Sequence, residues 1–451
     1  MVLLSSLPQL FLLFLLFTFT NLCCSIPVNT SKDYLKLPLL HRTPFTSPAQ
    51  ALFSDIRRLS LLQNRPSFKS PVTSGASSGS GQYFVSLRLG SPPQSLLLVA
   101  DTGSDLVWVK CSACKNCSNY FPGSAFLARH SSTFSPIHCY NPLCQLVPHP
   151  QPNPCNHTRL HSPCRYEYLY ADGSKTSGFF SKETITLNTS TGRKKKLKNV
   201  AFGCGFRISG PSLTGASFKG AQGVMGLGRA PISFSSQLGR RFGNKFSYCL
   251  MDYTLSPPPI SYLMIGGLQS SAVSRKRMNF TPLLVNPQSP TFYYIAIKSV
   301  SVDGIKLPID PSVWSIDELG NGGTIIDSGT TLTFIAKPAY REILKAFKRR
   351  VKLPIAAEES PDFDLCVNVS GVSRPALPRM SFELSGDSVF SPPSMNYFID
   401  TGDGVKCLAI QPVNSDDDFS VIGNLMQQGY LLEFDRDKSR LGFSRSGCAK
   451  P

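Results

Sequence analysis

The chain has 451 residues, of which 41% are hydrophobic and 16% charged; this excludes a single ordinary core and fits a globular protein of at least two lobes. Phe (30) and Gly (34) are plentiful, a mix that suits a β-rich fold with many turns. Lys and Arg outnumber Asp and Glu by 46 to 28, a formal net charge of +18, so attraction to nucleic acid or acidic polysaccharide has to be weighed against where the chain is exported.

Residues 9–20, QLFLLFLLFTFT, form an apolar run too short to span a bilayer comfortably. The small residues Cys23 and Ser25 come after it, where a signal peptidase would cut. Residues 1–25 therefore read as a secretory signal peptide, with a membrane anchor as the alternative because no basic residue follows Met1. No later segment is long and apolar enough to span, and the tail SRSGCAKP is not a lipid-anchor signal.

Residues 26–72 differ in character from the rest of the chain and read as a pro-segment. Leu52, Ile56, Leu59 and Leu62 recur at helical spacing, and SFKSPVTSGASSGSG then forms a flexible linker open to proteolysis. Seven Lys and Arg against two Asp give this segment +5, which leaves +13 of the total for residues 73–451.

Secretion gives the fourteen cysteines a meaning. Cys23 and Cys24 leave with the signal peptide, and the remaining twelve are an even number, as a disulfide framework requires. Seven (Cys111, Cys114, Cys117, Cys139, Cys144, Cys155, Cys164) lie in a cluster and five (Cys204, Cys249, Cys366, Cys407, Cys448) beyond it. Both counts are odd, so if all pair, at least one bridge joins the cluster to a later segment. The rival reading of CSACKNC, with His130, His138, His157 and His161 nearby, is a zinc site; an oxidising compartment favours bridges. Sequons at Asn29, Asn116, Asn156, Asn188, Asn279 and Asn368 agree with glycosylation during export. The densest basic run, GRKKKLK at 192–198, reads as a solvated hairpin tip, since its flanks are turn-rich.

At LLLVADTGSDLVWV an aspartate, Asp101, interrupts a strand-like apolar run. A buried carboxylate costs several kcal/mol unless it is paired, hydrogen-bonded or protonated. On its own it reads as an ion pair as readily as a functional group. The second clue is IIDSGTTLTFI at 325–335, which repeats the pattern around Asp327. Each aspartate is later matched by an apolar pair before Gly, Val224-Met225-Gly226 and Val421-Ile422-Gly423. The chain thus reads as a duplication, and packing the halves about a pseudo-twofold axis brings the Asp loops together. Two carboxylates ~3 Å apart repel by roughly 5 kcal/mol at an effective dielectric of 20, so such a pair shares one proton. One is then a base and the other an acid, and a water between them can be activated to attack a peptide carbonyl. Gly103 and Gly329 allow close backbone approach, Thr102 and Ser328 can bond across the loops, and Ser104 and Thr330 can hold the outer carboxylate oxygens.

These paired motifs resemble those of pepsin-type aspartic proteases, and more narrowly the nepenthesin-like plant group, from about Tyr83 to Cys448. The resemblance implies an all-β dominated, bilobal pepsin-like fold: two pseudo-twofold-related β lobes, a central cleft and a few short helices. The N-terminal catalytic lobe would span 73–278 with a cysteine-rich insert at 111–164, and the C-terminal lobe 279–451, the boundary lying where charge and Pro interrupt at 275–290. YLYADGSKTSGFFSKETITL at 168–187 is similar to the family's flap hairpin, with Tyr170 as the flap tyrosine, followed by Ala171, Asp172 and Gly173, and with Trp108 supporting it. Ala171 departs from the family's usual Gly, which narrows the cleft or stiffens the flap. Cys366 and Cys407 sit where the family's C-terminal lobe bridge is expected. One clear helix is expected at 338–351, with Pro338 at its start and Ile343, Leu344, Phe347 and Val351 on one face.

The resemblance implies an endopeptidase acting in acid on extended protein or peptide substrate, with no cofactor and no metal. A monomer is expected, and the +5 charge of the pro-segment beside a carboxylate site suits an electrostatic plug, with Arg57 and Arg58 among its charges; a plain basic linker is the alternative. No nucleic acid and, after signal removal, no membrane is expected as a partner. The destination is the apoplast or cell wall, or a vacuole. The competing reading is a catalytically silent homologue that binds and inhibits a xylanase-type glycosidase; such relatives lose part of the Asp machinery, and here both Asp motifs, Tyr170 and Trp108 are present. A Ser or Cys hydrolase is disfavoured because all six histidines precede residue 165 and no G-x-S-x-G accompanies them.

Overall fold

A computed structural model describes residues 35–41, 52, 55, 81–115, 125–155, 158–170, 173–189, 193–214, 218, 221–252, 259–266, 278–356, 362–415, 418–446 and 448. Strands dominate, and the largest assembly is a 14-stranded sheet. Its spine runs from the closing hairpin Leu431–Asp435 and Arg440–Ser444 through Lys245–Cys249 and Ser261–Ile265 to Leu35–His41, Tyr83–Leu89 and Gln94–Asp101. It continues through Gly223–Gly226 and Val107–Lys115 to the long hairpin Lys175–Asn188 and Lys194–Ser209. The last strands of the chain therefore hydrogen-bond to strands of its first half. Asn279–Pro282, in the segment read as the lobe boundary, pairs with Arg440–Ser444 at the rim, where Pro282 removes no central ladder bond.

The second half builds smaller sheets. Five strands, Tyr294–Ile295, Thr324–Ile326, Ser420–Ile422, Thr333–Ile335 and Ile410–Pro412, hold the Asp327 loop. Helix Lys337–Arg350 covers the adjoining core with Ala339, Tyr340, Ile343, Ala346 and Phe347 buried, and Pro338 stands in its first turn. Aromatic packing joins the halves: Phe246 stacks on Phe434 with centroids 4.5 Å apart, and Tyr293 meets Phe434 edge-on at 4.6 Å. Each such buried ring contributes roughly 1.5–3 kcal/mol of transfer energy.

Residues 35–41 form a strand in the middle of the sheet, between Ser261–Ile265 and Tyr83–Leu89. Leu35, Leu37 and Leu39 point inward while Lys36 lies over the Tyr262 ring, the alternation of a strand with one buried face. The helical repeat at 52–62 is described only at Leu52 and Asp55; Ile56, Leu59 and Leu62, like residues 1–34, lie outside the described residues.

Five disulfides occur among the described residues: Cys111–Cys204, Cys139–Cys155, Cys144–Cys164, Cys249–Cys448 and Cys366–Cys407. Cys111–Cys204 joins the cysteine cluster to a later segment, the link that the odd counts demanded. The side chain of Cys114, and Cys117, lie outside the described residues. Five of the seven cluster sulfurs are in bridges, Cys111 of CSACKNC among them; the other two cysteines of that run are those outside the described residues. Of the sequons, Asn188 and Asn279 are exposed and Asn368 half-buried, whereas Asn29, Asn116 and Asn156 lie outside the described residues. Lys194, Lys196 and Lys198 are exposed on their strand, as a solvated hairpin requires.

Cys111–Cys204 closes a 93-residue separation, so replacing both by Ser is expected to lower stability by about 2–5 kcal/mol. Thermal melting under non-reducing conditions checks this, and a midpoint equal to the parent's contradicts it.

Candidate active site

The two halves build their Asp loops in the same way. Strand Gln94–Asp101 runs parallel to Gly223–Gly226, pairing Asp101 with Gly226, and Val107–Lys115 returns antiparallel on the other side. Thr324–Ile326 likewise runs parallel to Ser420–Ile422, and Thr333–Ile335 crosses it antiparallel. Each hydrophobic-hydrophobic-Gly segment thus lies between the two arms of an Asp loop. Glycine is required because backbone comes too close: a Cβ at Gly226 would stand 2.3 Å from the carbonyl carbon of Asp105, and one at Gly423 1.9 Å from the carbonyl oxygen of Leu332.

The loops meet through crossed hydrogen bonds. Ser328 N–H donates to Thr102 Oγ1 at 2.9 Å, and Thr102 N–H to Ser328 Oγ at 3.1 Å. Each hydroxyl then donates to the opposite strand, Ser328 to the Ala100 carbonyl at 2.9 Å and Thr102 to that of Ile326 at 3.4 Å. Thr102 Oγ1 also stands 3.4 Å from Asp327 Oδ1, across the junction. Both carboxylates are buried, Asp101 at 1% and Asp327 at 0% exposure. Their surroundings match: Asp101 accepts from Gly103 N–H at 3.0 Å and Ser104 Oγ–H at 2.5 Å, Asp327 from Gly329 N–H at 2.9 Å and Thr330 Oγ1–H at 2.6 Å. These bonds fix the planes of two carboxyl groups held in one buried junction.

The hairpin read as the flap is formed by Arg165–Leu169 and the start of Lys175–Asn188, with Tyr168 opposite Thr176. Tyr170 N–H donates to the Ser174 carbonyl, and Gly173, at φ +74°, closes the turn. Ala171 and Asp172 lie outside the described residues. Trp108 Nε1–H donates to Tyr170 Oη at 2.5 Å, and Trp108 is fully buried, stacked on Phe218. Burial, Tyr168 and then Asp101 keep the Tyr170 phenol well above its ordinary titration range, so it remains a neutral hydroxyl.

Several residues in this site carry no signal in the motifs. Gln427 Nε2–H donates to the carbonyls of Asp327 and Ile422 and its Oε1 accepts from Tyr248 Oη–H at 2.5 Å. Asn424 Nδ2–H donates to the carbonyls of Ser328 and Gly81. Both come soon after Gly423, so the polar pattern beyond the second apolar-Gly segment is the available clue. Asp55, in the segment read as a pro-segment, is buried at 3% exposure; its Oδ2 accepts from Thr331 N–H at 2.8 Å and Leu332 N–H at 2.5 Å. Leu52 packs beside it in a core with Phe292, Phe363 and Phe419. The described contact of residues 26–72 at the Asp327 loop is thus acidic, while Arg57 and Arg58 lie outside the described residues.

Comparison with known proteins matches this geometry. Residues 83–267 fit the family described as Xylanase inhibitor N-terminal, and residues 292–445 that described as Xylanase inhibitor C-terminal. The chain is 39% identical over 385 residues to Aspartyl protease family protein 2 of Arabidopsis thaliana, covering 85% of this chain and 74% of the relative. It is 34% identical over 423 residues to aspartic proteinase nepenthesin-1 of Nepenthes gracilis, covering 93% of this chain and 89% of the relative. The crystal structure of edgp superposes with a TM-score of 0.68 at 24% identity over 91% of this chain and 94% of that one. Conglutin gamma, a basic 7S globulin from lupine seeds, does so at 0.66 and 19% over 92% and 95%; these two likenesses speak for the fold alone. With both halves matched and relatives above 30% identity along most of its length, the chain belongs to the nepenthesin-like plant family of pepsin-type aspartic proteases.

Proposed function

We propose that this protein is a secreted aspartic endopeptidase, made as a precursor, that hydrolyses peptide bonds in acid with a water activated by Asp101 and Asp327. The observation that carries this reading is the crossed bonding of Thr102 and Ser328, which holds the two Asp loops in one junction. In the proposed cycle the ionised carboxylate takes a proton from water as its oxygen attacks the scissile carbonyl carbon. The protonated carboxyl gives its proton to the carbonyl oxygen, and a neutral tetrahedral diol forms. Collapse returns one hydroxyl proton to the pair while the other carboxyl protonates the leaving nitrogen, so the pair ends with the single proton it began with. Tyr170 closes over the extended substrate and limits water, and Trp108 holds its ring. Thr102, Gly103, Ser104, Ser328, Gly329 and Thr330 orient the dyad. The test is cleavage of a peptide library at about pH 3 to 5, with and without a transition-state mimic of pepstatin type. Mimic-sensitive cleavage supports the reading, and cleavage indifferent to the mimic contradicts it.

The precursor part of the proposal rests on Asp55 and on the strand Leu35–His41. The proposed division of the chain is a leader at 1–25, a pro-segment at 26–72, and lobes at 73–278 and 279–451. A carboxylate that accepts two backbone N–H groups binds more tightly ionised than protonated, so its hold weakens as pH falls. Asp55→Asn is expected to convert to the mature form at a higher pH than the parent, checked by following precursor size on gels across pH; an unchanged midpoint contradicts the latch. The disulfides support passage through an oxidising compartment, and the apoplast, cell wall or vacuole is the proposed destination. Among the described residues no helix is long and apolar enough to cross a membrane. The mature enzyme is proposed to act as a monomer without cofactor.

A second reading is favoured by the family descriptions, both of which name a xylanase inhibitor. In that reading the chain binds a glycosidase and cleaves nothing. Inhibition of a xylanase by the Asp327→Asn variant supports it; absence of inhibition beside peptide cleavage by the parent removes it.

A further inference from the structure

We infer that Asp105 is a positioning residue of the same machinery, one that ties the Asp101 loop, the root of the flap and the opposite half together and whose charge sets the upper edge of the working pH range. The inference rests on the protease reading and deepens it.

Asp105 lies four residues after Asp101 and is buried at 6% exposure. Its Oδ1 accepts from Ala230 N–H at 2.9 Å and its Oδ2 from Thr291 Oγ1–H at 2.6 Å, so it bridges the loop after Gly226 to the turn that precedes strand Tyr294–Ile295 in the second half. Its own N–H donates to Tyr168 Oη at 3.1 Å, and the Tyr168 ring lies 5.2 Å from that of Tyr170. Asp105 is therefore one bond from the flap root and one bond from the other half. The seam is tight: a Cβ at Gly228 would stand 2.3 Å from Asp105 Oδ1.

The duplicated loop has Thr331 at the matching place, so the carboxylate is not imposed by the loop's shape. Thr331 and Leu332 give their N–H groups to Asp55, where Asp105 gives its own to Tyr168. An uncharged side chain at 105 would make the same two contacts without the desolvation cost of a carboxylate. The charge must serve something other than packing, and Asp101 of the dyad is one of the charged groups it meets.

Burial is the main reason the Asp105 carboxyl is held above its ordinary range; the Thr291 and Ala230 bonds draw it back, Asp101 pushes it further up and Arg436 draws it down. The other ionisable groups packed around it are Tyr168 and Tyr293, both kept neutral chiefly by burial, and Arg229, which donates to the Leu284 carbonyl. With a raised pKa in the folded state, the fold binds this proton more tightly than the unfolded chain does. The resulting stability is present below the unfolded value of about 3.9 and is lost as pH rises through the folded value. Once ionised, Asp105 sets a second negative charge beside Asp101 and makes removal of the dyad's last proton harder.

The test compares kcat/KM against pH for the parent, Asp105→Asn and Thr291→Val. Asn keeps the shape, accepts from Ala230 N–H through Oδ1 and donates through Nδ2–H to Thr291 Oγ1 without the charge, so the alkaline limb is expected to move down by about half a pH unit. Thr291→Val removes a donor that favours the ionised form, so its limb moves the same way by a smaller amount; this variant decides if Asp105→Asn does not fold. A limb superposable on the parent's in the variant that folds overturns the inference. If the parent shows no mimic-sensitive cleavage, the protease reading has failed separately, and melting at about pH 4 and pH 7 decides Asp105. A smaller loss of melting temperature between those pH values in Asp105→Asn than in the parent supports a titrating Asp105, and equal losses overturn it.

Discussion

Replacing Asp101 or Asp327 by Asn is expected to lower kcat/KM for peptide cleavage in acid by at least about 10³-fold, with the fold retained. The side chains are isosteric, and an Asn oxygen still accepts from Gly103 or Gly329 N–H, the bonds that set each side chain's plane. What disappears is the ability of the pair to hold one proton and pass it on. Both variants should fail, and about equally, because each carboxylate takes the acid and the base role at different steps of one cycle. Circular dichroism and melting establish that folding is intact, and a fluorogenic peptide establishes the loss. A variant that keeps a tenth of the parent rate shows that its aspartate lies outside the chemistry.

The second large effect concerns the junction rather than the carboxylates. Thr102→Val removes the hydroxyl that accepts from Ser328 N–H and donates to the Ile326 carbonyl, at positions that are 0% and 2% exposed for Thr102 and Ser328. The buried N–H left behind costs about 1–3 kcal/mol and the lost donor adds to it, so a total loss of about 2–4 kcal/mol is expected. The two carboxyl groups also lose their mutual register, so kcat should fall by about 10- to 100-fold with a smaller change in KM. Thr102→Ser restores the hydroxyl and most of the activity. Chemical denaturation and steady-state kinetics check both parts; a Val variant as stable and as active as the parent means the crossed bonds hold nothing together.

Much of this site was legible in the chain because its signals are local and occur twice. DTGS in one apolar frame says little, but DSGT in a second, each with its hydrophobic-hydrophobic-Gly partner, implies two matching loops, and the strand pairing of Asp101 with Gly226 and Ile326 with Ile422 agrees with that pattern. The contacts that escaped reading are long-range. Asp55 meets Thr331 across 276 residues, and Asp105 meets Thr291 across 186. No periodicity records such a pairing, and Asp105 passes as one more polar residue before LVWV. LKLPLLH alternates as a strand should, but Pro38 within it and a basic segment around it resemble a linker; only the open edges of Tyr83–Leu89 and Ser261–Ile265 make it a central strand. The helix at 338–351 was legible because one face carries Ile343 and Phe347 at the spacing of a turn, and both are buried.

The pseudo-symmetry also explains why the Asp55 contact falls where it does. In the first half the N–H of Asp105 is received by Tyr168 of the hairpin starting at Arg165, and in the second the N–H groups of Thr331 and Leu332 are received by the Asp55 carboxylate. The second half has an unmatched need for an acceptor that the first half meets with its own hairpin.

The most direct measurement is the pH dependence of kcat/KM for the activated protein on one fluorogenic peptide, repeated with a pepstatin-type mimic titrated to saturation. Two acidic residues sharing a proton predict a bell confined to acid pH and complete inhibition at one mimic per chain. A rate that climbs steadily toward neutral pH, or one the mimic leaves untouched, contradicts the shared-proton dyad.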